Sequence, residues 1–239
     1  MDEKERNALL EAYSKSVEAR MNTVLKHMQA GVKFVDASSA YIDESVEIGA
    51  GTVIGPCVTL EGNTRIGENC AIRQNTRITD SEVAGGVEIE NSVIVESTIG
   101  EGTKVGPFAY MRPGSRVGAN CKVGDFVEIK NSTFGNGSKA AHLTYIGDSD
   151  VGCDVNLGCG VVFVNYDGTA KYRSTVSDGA FIGCNSNLVS PVNVGEGAYI
   201  AAGSTVTEDV EGDALYIARA RGTKKQGWVS AKGILKRKK

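Results

Sequence analysis

Residues 42–78 read IDESVEIGAGTVIGPCVTLEGNTRIGENCAIRQNTRI, with an aliphatic residue at every sixth position. These positions are Ile42, Ile48, Ile54, Leu60, Ile66, Ile72 and Ile78. A period of six does not match the 3.6-residue turn of an α-helix, so we interpret each hexapeptide as a short strand plus a turn. The aliphatic side chain then points inward once per strand, and successive coils stack it on itself.

The same spacing returns late in the chain, at Val176, Ile182, Leu188, Val194, Ile200 and Val206. A ladder with several five-residue steps joins the two runs, and we interpret the short steps as tightened corners. Glycine often follows the aliphatic residue, as at Gly49 and Gly183, which predicts corners with positive φ or close backbone approach. Three hexapeptides per coil predict about nine coils and, at ~4.8 Å between strands, a prism about 43 Å long.

Three further segments interrupt or flank the ladder. Residues 165–171 are more than a corner requires, so we predict a loop extruded from the scaffold. Residues 2–30 carry apolar side chains three or four apart, which predicts one helix that ends at Gly31 and exposes His27. The predicted division is a linker-like helix at 1–31, a β-helix at 32–211 and a basic C-terminal extension at 212–239.

The composition fits such a solenoid and argues against several functional classes. Of 239 residues, 41% are hydrophobic but only 6% are aromatic, so the core must be mainly aliphatic. Residues 214–239 carry nine Lys/Arg and no acid, whereas the rest of the chain is net negative, which argues against a nucleic-acid groove. Neither a signal peptide nor a stretch of about eighteen apolar residues is found, so we expect a cytoplasmic protein without a membrane span.

Cysteine and histidine do not occur in a metal-binding pattern. The six cysteines show no CxxC or Cys/His spacing, so we expect neither a disulfide framework nor a zinc site. The chain has two histidines, and only His142 lies within the repeats. A γ-type carbonic anhydrase has this scaffold but needs three zinc-binding histidines, which disfavours that alternative. An ice-binding solenoid would need a flat threonine array, which the repeats do not contain.

Two cations are spaced to share one face of the prism. Three hexapeptide lengths separate Arg112 from Lys130, which in a three-sided prism places them on neighbouring coils. They could bind an anion there. Ion pairs with Glu128 or Asp148 explain the two cations equally well from spacing alone.

Further polar groups surround these cations in sequence. Tyr145 lies three residues after His142, and Lys171 belongs to the extruded loop. Cations and a phenol beside a neutral imidazole would suit a dianionic phosphate whose neighbouring amine must lose a proton. The residue types are therefore compatible with a phosphorylated amine as ligand, and the ion-pair alternative stays open.

Six stretches together resemble one enzyme family. They are Arg112-Pro-Gly-Ser, Phe126-Val-Glu-Ile-Lys130, Gly137-Ser-Lys-Ala-Ala-His142-Leu-Thr-Tyr145-Ile-Gly-Asp148, Val155-Asn156-Leu-Gly-Cys159-Gly160, Asn165-Tyr166-Asp167-Gly168 and Ile200-Ala-Ala202-Gly-Ser-Thr-Val-Thr. Their order and spacing resemble the acetyltransferase half of the bacterial bifunctional N-acetylglucosamine-1-phosphate uridyltransferase/glucosamine-1-phosphate acetyltransferase. The resemblance runs from the N-terminal helix to Trp228.

This resemblance implies an all-β, left-handed parallel β-helix of hexapeptide repeats with an N-terminal α-helix. It also implies a homotrimer with acetyl-transfer sites between subunits. The expected reaction moves acetyl from acetyl-CoA to the amino group of glucosamine 1-phosphate, for UDP-N-acetylglucosamine and cell-wall precursor synthesis. No metal is expected to take part. Because the chain begins at the linker-like helix, we expect uridyl transfer to be missing.

Matching positions imply roles for individual residues. His142 resembles the general base. The residues that match ligands of the sugar phosphate are Arg112, Lys130, Tyr145, Asn156 and Lys171. The residues that match acetyl-CoA contacts are Cys159, Asn165, Tyr166, Cys184, Ala202 and Arg219. Some relatives have Ser at position 184 and Ala at position 159, so we expect backbone contacts there.

Two alternatives remain open at this stage. A related hexapeptide-repeat acyltransferase could act on a different amino sugar or on an amino acid, because this scaffold serves many acceptors. A non-catalytic trimeric scaffold is the other alternative.

Overall fold

In the computed structural model, which describes residues 1–233, short parallel strands wind into a three-sided β-helix. Helix α1 (Glu3–Gln29) precedes it, followed by a 3₁₀ turn at Ala37–Ser39, and a short helix α2 (Trp228–Ala231) comes last. The three faces hold eleven, ten and nine strands, which make about ten coils rather than the nine predicted. The described residues contain no helix both long and apolar enough to cross a membrane.

Each face is one parallel sheet in which every third strand is a neighbour. The first face comprises β1 (Lys33–Phe34), β4 (Val53–Ile54), β7 (Ala71–Ile72), β10 (Glu88–Ile89), β13 (Lys104–Val105), β16 (Lys122–Asp125), β19 (Lys139–His142), β22 (Asn156–Leu157), β25 (Phe181–Ile182), β28 (Tyr199–Ile200) and β30 (Leu215–Tyr216). The second face comprises β2 (Tyr41–Ile42), β5 (Thr59–Glu61), β8 (Arg77–Thr79), β11 (Val93–Val95), β14 (Tyr110–Met111), β17 (Glu128–Lys130), β20 (Tyr145–Gly147), β23 (Val162–Val164), β26 (Asn187–Val189) and β29 (Thr205–Val206). The third face comprises β3 (Glu47–Ile48), β6 (Arg65–Ile66), β9 (Glu82–Val83), β12 (Thr98–Ile99), β15 (Arg116–Val117), β18 (Thr133–Phe134), β21 (Ser149–Val151), β24 (Ser174–Val176) and β27 (Asn193–Val194).

The aliphatic ladder forms the core, as its period predicts. Ile54, Leu60 and Ile72 are fully buried, and each lies in register with the ladder residue of the next coil. A second buried ladder of small polar residues lies beside it. Thr52, for example, donates to the carbonyl of Gly67 at 2.8 Å and accepts from the Cys70 amide at 3.0 Å. These hydroxyls satisfy backbone groups that the corners would otherwise leave buried without a partner.

Most glycines that follow the aliphatic residue serve close approach rather than positive φ. Gly49 has an ordinary φ, but a Cβ there would lie 2.5 Å from the backbone nitrogen of Glu68. At Gly183, a Cβ would lie 2.7 Å from the Cα of Ala202 on the next coil. Any larger residue at these positions would push neighbouring coils apart.

Helix α1 covers the first coil only with its C-terminal end. Val24 is fully buried, whereas Leu9 and Tyr13 are 59% and 68% exposed. The prediction that His27 is exposed is wrong, because its side chain packs under this end of the helix and is 5% exposed. Burial, and then the charge of Lys26, lowers the pKa of His27.

Gly31 follows helix α1 with φ at 91°, as predicted for the helix stop.

At the C-terminal end of the prism, β30 lies within the range assigned to the basic extension and continues the first face. The three domain boundaries stay a prediction. The end of the extension, residues 234–239, lies outside the described residues.

Candidate active site

The cations predicted from spacing lie at one edge of the second face. Arg112 follows β14, Lys130 ends β17, and the Arg112 amide donates to the Ile129 carbonyl at 2.8 Å. Lys171 approaches from the extruded loop, where the nearby ammonium of Lys130 lowers the pKa of Lys171. Three cationic side chains therefore converge on this edge.

A buried carboxylate holds the centre of this cluster. Asp148 accepts from Lys130 Nζ at 3.2 Å, from Asn131 Nδ2 at 2.7 Å and from Asn165 Nδ2 at 2.5 Å. Burial opposes ionisation of Asp148, but the hydrogen bonds from Asn131, Lys130 and Asn165 lower its pKa below the ordinary value. For Lys130, burial acts to lower the pKa, yet its hydrogen bond and ion pair with Asp148 raise it overall.

Both ion pairs that the spacing left open are present. Besides the Lys130–Asp148 pair, Arg112 Nη1 lies 2.8 Å from Glu128 Oε1, and the hydrogen bond to Glu128 raises the pKa of Arg112. The Arg112 side chain is 39% exposed, so it can turn to a ligand at little cost. Ion pairing and anion binding are thus compatible for these side chains.

The extruded loop is ordered by its own hydrogen bonds. Asp167 Oδ1 accepts from the amides of Thr169 and Ala170 at 2.7 Å and 2.8 Å, and these bonds strongly lower the pKa of Asp167. The Tyr172 amide donates to the Asn165 carbonyl at 2.9 Å and closes the loop. An ordered loop presents Lys171 to the cluster with a small entropic cost.

His142 lies at the end of β19, at the corner that leads into the opposite edge of the second face. Its Nδ1 is 2.5 Å from Oδ1 of Asp125, which ends β16 on the preceding coil. The sequence reasoning did not identify Asp125. Its position in the sequence could have indicated it, because Asp125 lies one coil before His142. One five-residue step shortens that coil.

Tyr145 lies between the imidazole and the cations. Its ring covers Gly147, because a Cβ at Gly147 would lie 2.6 Å from the phenol Cζ. Gly147 is the register partner of Lys130, so the phenol extends towards the cation cluster. Five backbone steps lead from Asp125 to Lys130, a path of at most about 18 Å. The long side chains of the cations shorten the remaining distance between the imidazole edge and the cation edge of this face.

The residues assigned to acetyl-CoA fall largely into one column. Register places Cys159 above His142, Cys184 above Cys159 and Ala202 above Cys184. The Asn185 amide donates to the Cys159 carbonyl, and the Gly203 amide donates to the Cys184 carbonyl, both at 2.8 Å. The column therefore begins at the imidazole and rises along the same corner.

The other assigned residues lie beside that column or apart from it. Arg219 Nη1 donates to the Ala202 carbonyl at 2.6 Å and so extends the column. Tyr166 is 55% exposed on the extruded loop, and Asn156 begins β22 on the first face. The Asn165 side chain is 6% exposed and bonds to Asp148, so it supports the cation cluster. Within residues 1–233, no group of three or more His, Cys, Asp or Glu could hold a metal ion.

Two family models match parts of the chain. The model described as GMPPB C-terminal domain matches residues 37–110, and the model for bacterial transferase hexapeptide (six repeats) matches residues 96–131. Hexapeptide repeats fit the left-handed form of the parallel β-helix, which confirms the predicted fold class.

Similarity to whole proteins is stronger. The bifunctional protein GlmU of Clostridium botulinum (strain ATCC 19397 / Type A) is 54% identical over 212 residues, which cover 89% of this chain and 46% of that protein. This chain is homologous to the C-terminal half of bifunctional GlmU. The GlmU of Clostridioides difficile (strain 630) is 57% identical over 206 residues, covering 86% of this chain and 45% of GlmU. The chain thus spans about half the length of these curated relatives.

The resemblance seen in the six sequence stretches is therefore confirmed. A solved structure of Arabidopsis UDP-N-acetylglucosamine acyltransferase is also similar, with 19% identity and a TM-score of 0.46 over 75% of this chain and 70% of that one. Similarity to GlmU does not test single side chains. The roles assigned to the site residues stay predictions.

Proposed function

We propose that this chain is an N-acetyltransferase that transfers acetyl from acetyl-CoA to the amino group of glucosamine 1-phosphate. The observation that carries this proposal is the arrangement of one face, with three cations at one edge and His142 at the other. A column of residues assigned to the donor starts at that same histidine. The product, N-acetylglucosamine 1-phosphate, would serve UDP-N-acetylglucosamine and cell-wall precursor synthesis in the cytoplasm.

The cation edge suits a phosphate group. Arg112 offers a planar fork of donors, and Lys130 and Lys171 offer two ammonium groups. Only two carboxylates, Glu128 and Asp148, balance the three positive charges. A bound dianion would therefore compensate the positive charge that remains. A bound phosphate would also favour the charged form of Lys171, whose pKa the neighbouring Lys130 lowers.

The imidazole edge suits the reacting amine. An ammonium has no free lone pair, so a base must remove a proton before nitrogen attacks the thioester carbonyl. His142 would accept that proton at Nε2, because Nδ1 is bonded to Asp125. The new C–N bond gives a tetrahedral intermediate, which backbone N–H groups could stabilise. The C–S bond then breaks, the nitrogen loses its second proton, and the leaving CoA thiolate takes up a proton.

The donor column supports acetyl-CoA as the co-substrate. From His142 to Ala202 it climbs three coils, about 14 Å at the spacing between strands. Its corners carry small residues, so backbone amides and carbonyls are accessible to an extended pantetheine arm. Arg219 at the upper end is a cation suited to the phosphates of CoA.

An exposed apolar stripe supports the proposed homotrimer. Phe108, Phe126 and Leu143 stack on successive coils at the corner beside His142, and they are 56%, 58% and 56% exposed. All three have positive φ, which is unusual for bulky residues. Burial of this stripe against neighbouring subunits would place the imidazole at the subunit seam.

An acceptor panel tests the function. Release of CoA thiol from acetyl-CoA would be followed with glucosamine 1-phosphate, glucosamine, a UDP-linked amino sugar and an amino acid. We expect glucosamine 1-phosphate to give the highest kcat/KM. Faster release with another acceptor would favour a related acyltransferase. A trimer without turnover on any acceptor would favour a non-catalytic scaffold.

A further inference from the structure

We propose that Asp125 is a positioning residue for His142, which accepts the Nδ1 hydrogen and so leaves Nε2 free to take a proton. This inference rests on the proposed acetyl transfer and names a further residue for that reaction. Neither the family resemblance nor the sequence patterns pointed to Asp125. The inference follows from the way two neighbouring coils meet at this corner.

The backbone brings these two residues together. Strands β16 and β19 are four residues long, whereas the other strands of the first face have two. The longer pairing reaches the corner, where Asp125 and His142 are register partners. The Leu143 amide then donates to the Asp125 carbonyl at 2.9 Å, which fixes the step immediately after the histidine.

Small residues beneath the pair allow this close approach. Gly124 precedes Asp125, and a Cβ at that position would overlap the carbonyl group of Ala141. Ala141 itself precedes His142. The glycine therefore lets two coils come together where the carboxylate must reach the ring.

The protonation states follow from the hydrogen bond. The contact with His142 lowers the pKa of Asp125, although burial opposes this shift, so the carboxylate is ionised at neutral pH. An ionised carboxylate can only accept, so the neutral ring must carry its single hydrogen on Nδ1. The lone pair on Nε2 is then available, and within residues 1–233 it makes no hydrogen bond.

The test has a spectroscopic part and a kinetic part. The chain holds two histidines, so ¹⁵N-histidine labelling gives two rings, and His142→Gln assigns the spectrum. In the pH range where the nitrogen spectrum shows a neutral ring, we expect the wild-type His142 ring to be mainly the Nδ1–H tautomer. Asp125→Ala should shift it towards Nε2–H, and Asp125→Asn should restore part of the Nδ1–H form.

The kinetic part separates positioning from folding. We expect Asp125→Ala to lower kcat for acetyl transfer about tenfold, with KM values for both substrates changed less than about threefold. Asp125→Asn should recover part of kcat. The matched control is Asp209→Ala, which removes a carboxylate that likewise bridges two coils by bonding Asn193, but far from His142. This control should leave the tautomer and kcat unchanged.

Two results would overturn the proposal. One is an Nε2–H ring in the wild-type protein, and the other is a kcat for Asp125→Ala equal to that of the Asp209→Ala control. If the wild-type chain transfers no acetyl group, the proposed function fails and Asp125 has no reaction to serve. The nitrogen spectra then still show, independently, whether the carboxylate sets the tautomer.

Discussion

Lys130 Nζ lies 3.2 Å from Asp148 Oδ2, and this pair is the least exposed ion pair within residues 1–233. The two side chains are 18% and 11% exposed. Asp148 also joins two coils and the extruded loop through Asn131 and Asn165. The pair therefore links the stability of the prism to the shape of the cation cluster.

Asp148→Ala should destabilise the fold. Its removal leaves Lys130, Asn131 and Asn165 without their acceptor in a half-buried setting, which costs about 2–4 kcal/mol of unfolding free energy. Urea unfolding followed by circular dichroism measures this change. Asp209→Ala, at an exposed contact, should leave the unfolding free energy nearly unchanged. Equal effects of the two substitutions would show that the Asp148 network adds little stability.

The same residue predicts how stability depends on pH. The pKa of Asp148 is lowered from 3.8 in the folded chain, so its contribution is present above pH 3.8 and is lost as pH falls through the lower folded-state value. The difference in unfolding free energy between wild type and Asp148→Asn should therefore be constant near pH 7 and shrink below about pH 4. Urea titrations across this range measure it. A difference that grew in acid would contradict the folded-state assignment.

His142→Ala should abolish acetyl transfer without unfolding the prism. The side chain is 54% exposed, so its loss leaves no cavity, whereas losing a general base typically costs about 10²–10⁴-fold in kcat. Thiol release and thermal unfolding measure the two effects. His27→Ala gives the opposite pattern, because that ring is buried far from the site, and it should destabilise the fold by about 1–3 kcal/mol. Near-normal thiol release from His142→Ala would refute the base assignment.

Lys171→Gln should weaken binding of the phosphorylated acceptor selectively. Loss of one charge-assisted contact to the phosphate corresponds to a roughly tenfold rise in KM for glucosamine 1-phosphate. The KM for acetyl-CoA should stay within about twofold. Lys104→Gln removes an exposed lysine paired with Glu88 on the first face and serves as the control. Equal changes in both variants would place the phosphate elsewhere.

Phe126→Asn should weaken the assembly. Asn tolerates the positive φ at this position, so the substitution removes apolar area at the corner without adding backbone strain. Native mass spectrometry or sedimentation should show a trimer for wild type and smaller species for the variant at low micromolar concentration. Val35→Asn removes another exposed apolar residue, 69% exposed near the first coil, and should leave the trimer intact. A monomeric wild-type chain would contradict the proposed assembly directly.

The period of six made most of the fold predictable. In a solenoid, contacts lie one coil apart, so spacing in sequence translates directly into stacking in space. That is why the three hexapeptide lengths between Arg112 and Lys130 sufficed to place them on neighbouring coils. The helix stop at Gly31 was predictable for a local reason, because a left-handed φ favours glycine.

Other features depend on contacts that spacing does not encode. Coil lengths vary along the chain. The coil from Asp125 to His142 is short, and the coil from Cys159 to Cys184 includes the extruded loop. In both coils, the first and last of these residues are nevertheless in register. His27 is buried because the end of α1 packs over the first coil, although its own sequence pattern does not require it. Asn165 turns to Asp148 because a buried carboxylate needs donors.

The repeat, the inward ladder, the extruded loop and the residue types of the site follow from the order of amino acids alone, because each of these depends on local spacing and side-chain chemistry. The folded chain was needed to show which carboxylate contacts His142, which ion pairs form and which edge each group occupies. The physical reason is that corners between strands vary in length by a residue or more. Such a change at a corner gives a side chain a different partner, whereas the strands keep their ladder residues in register.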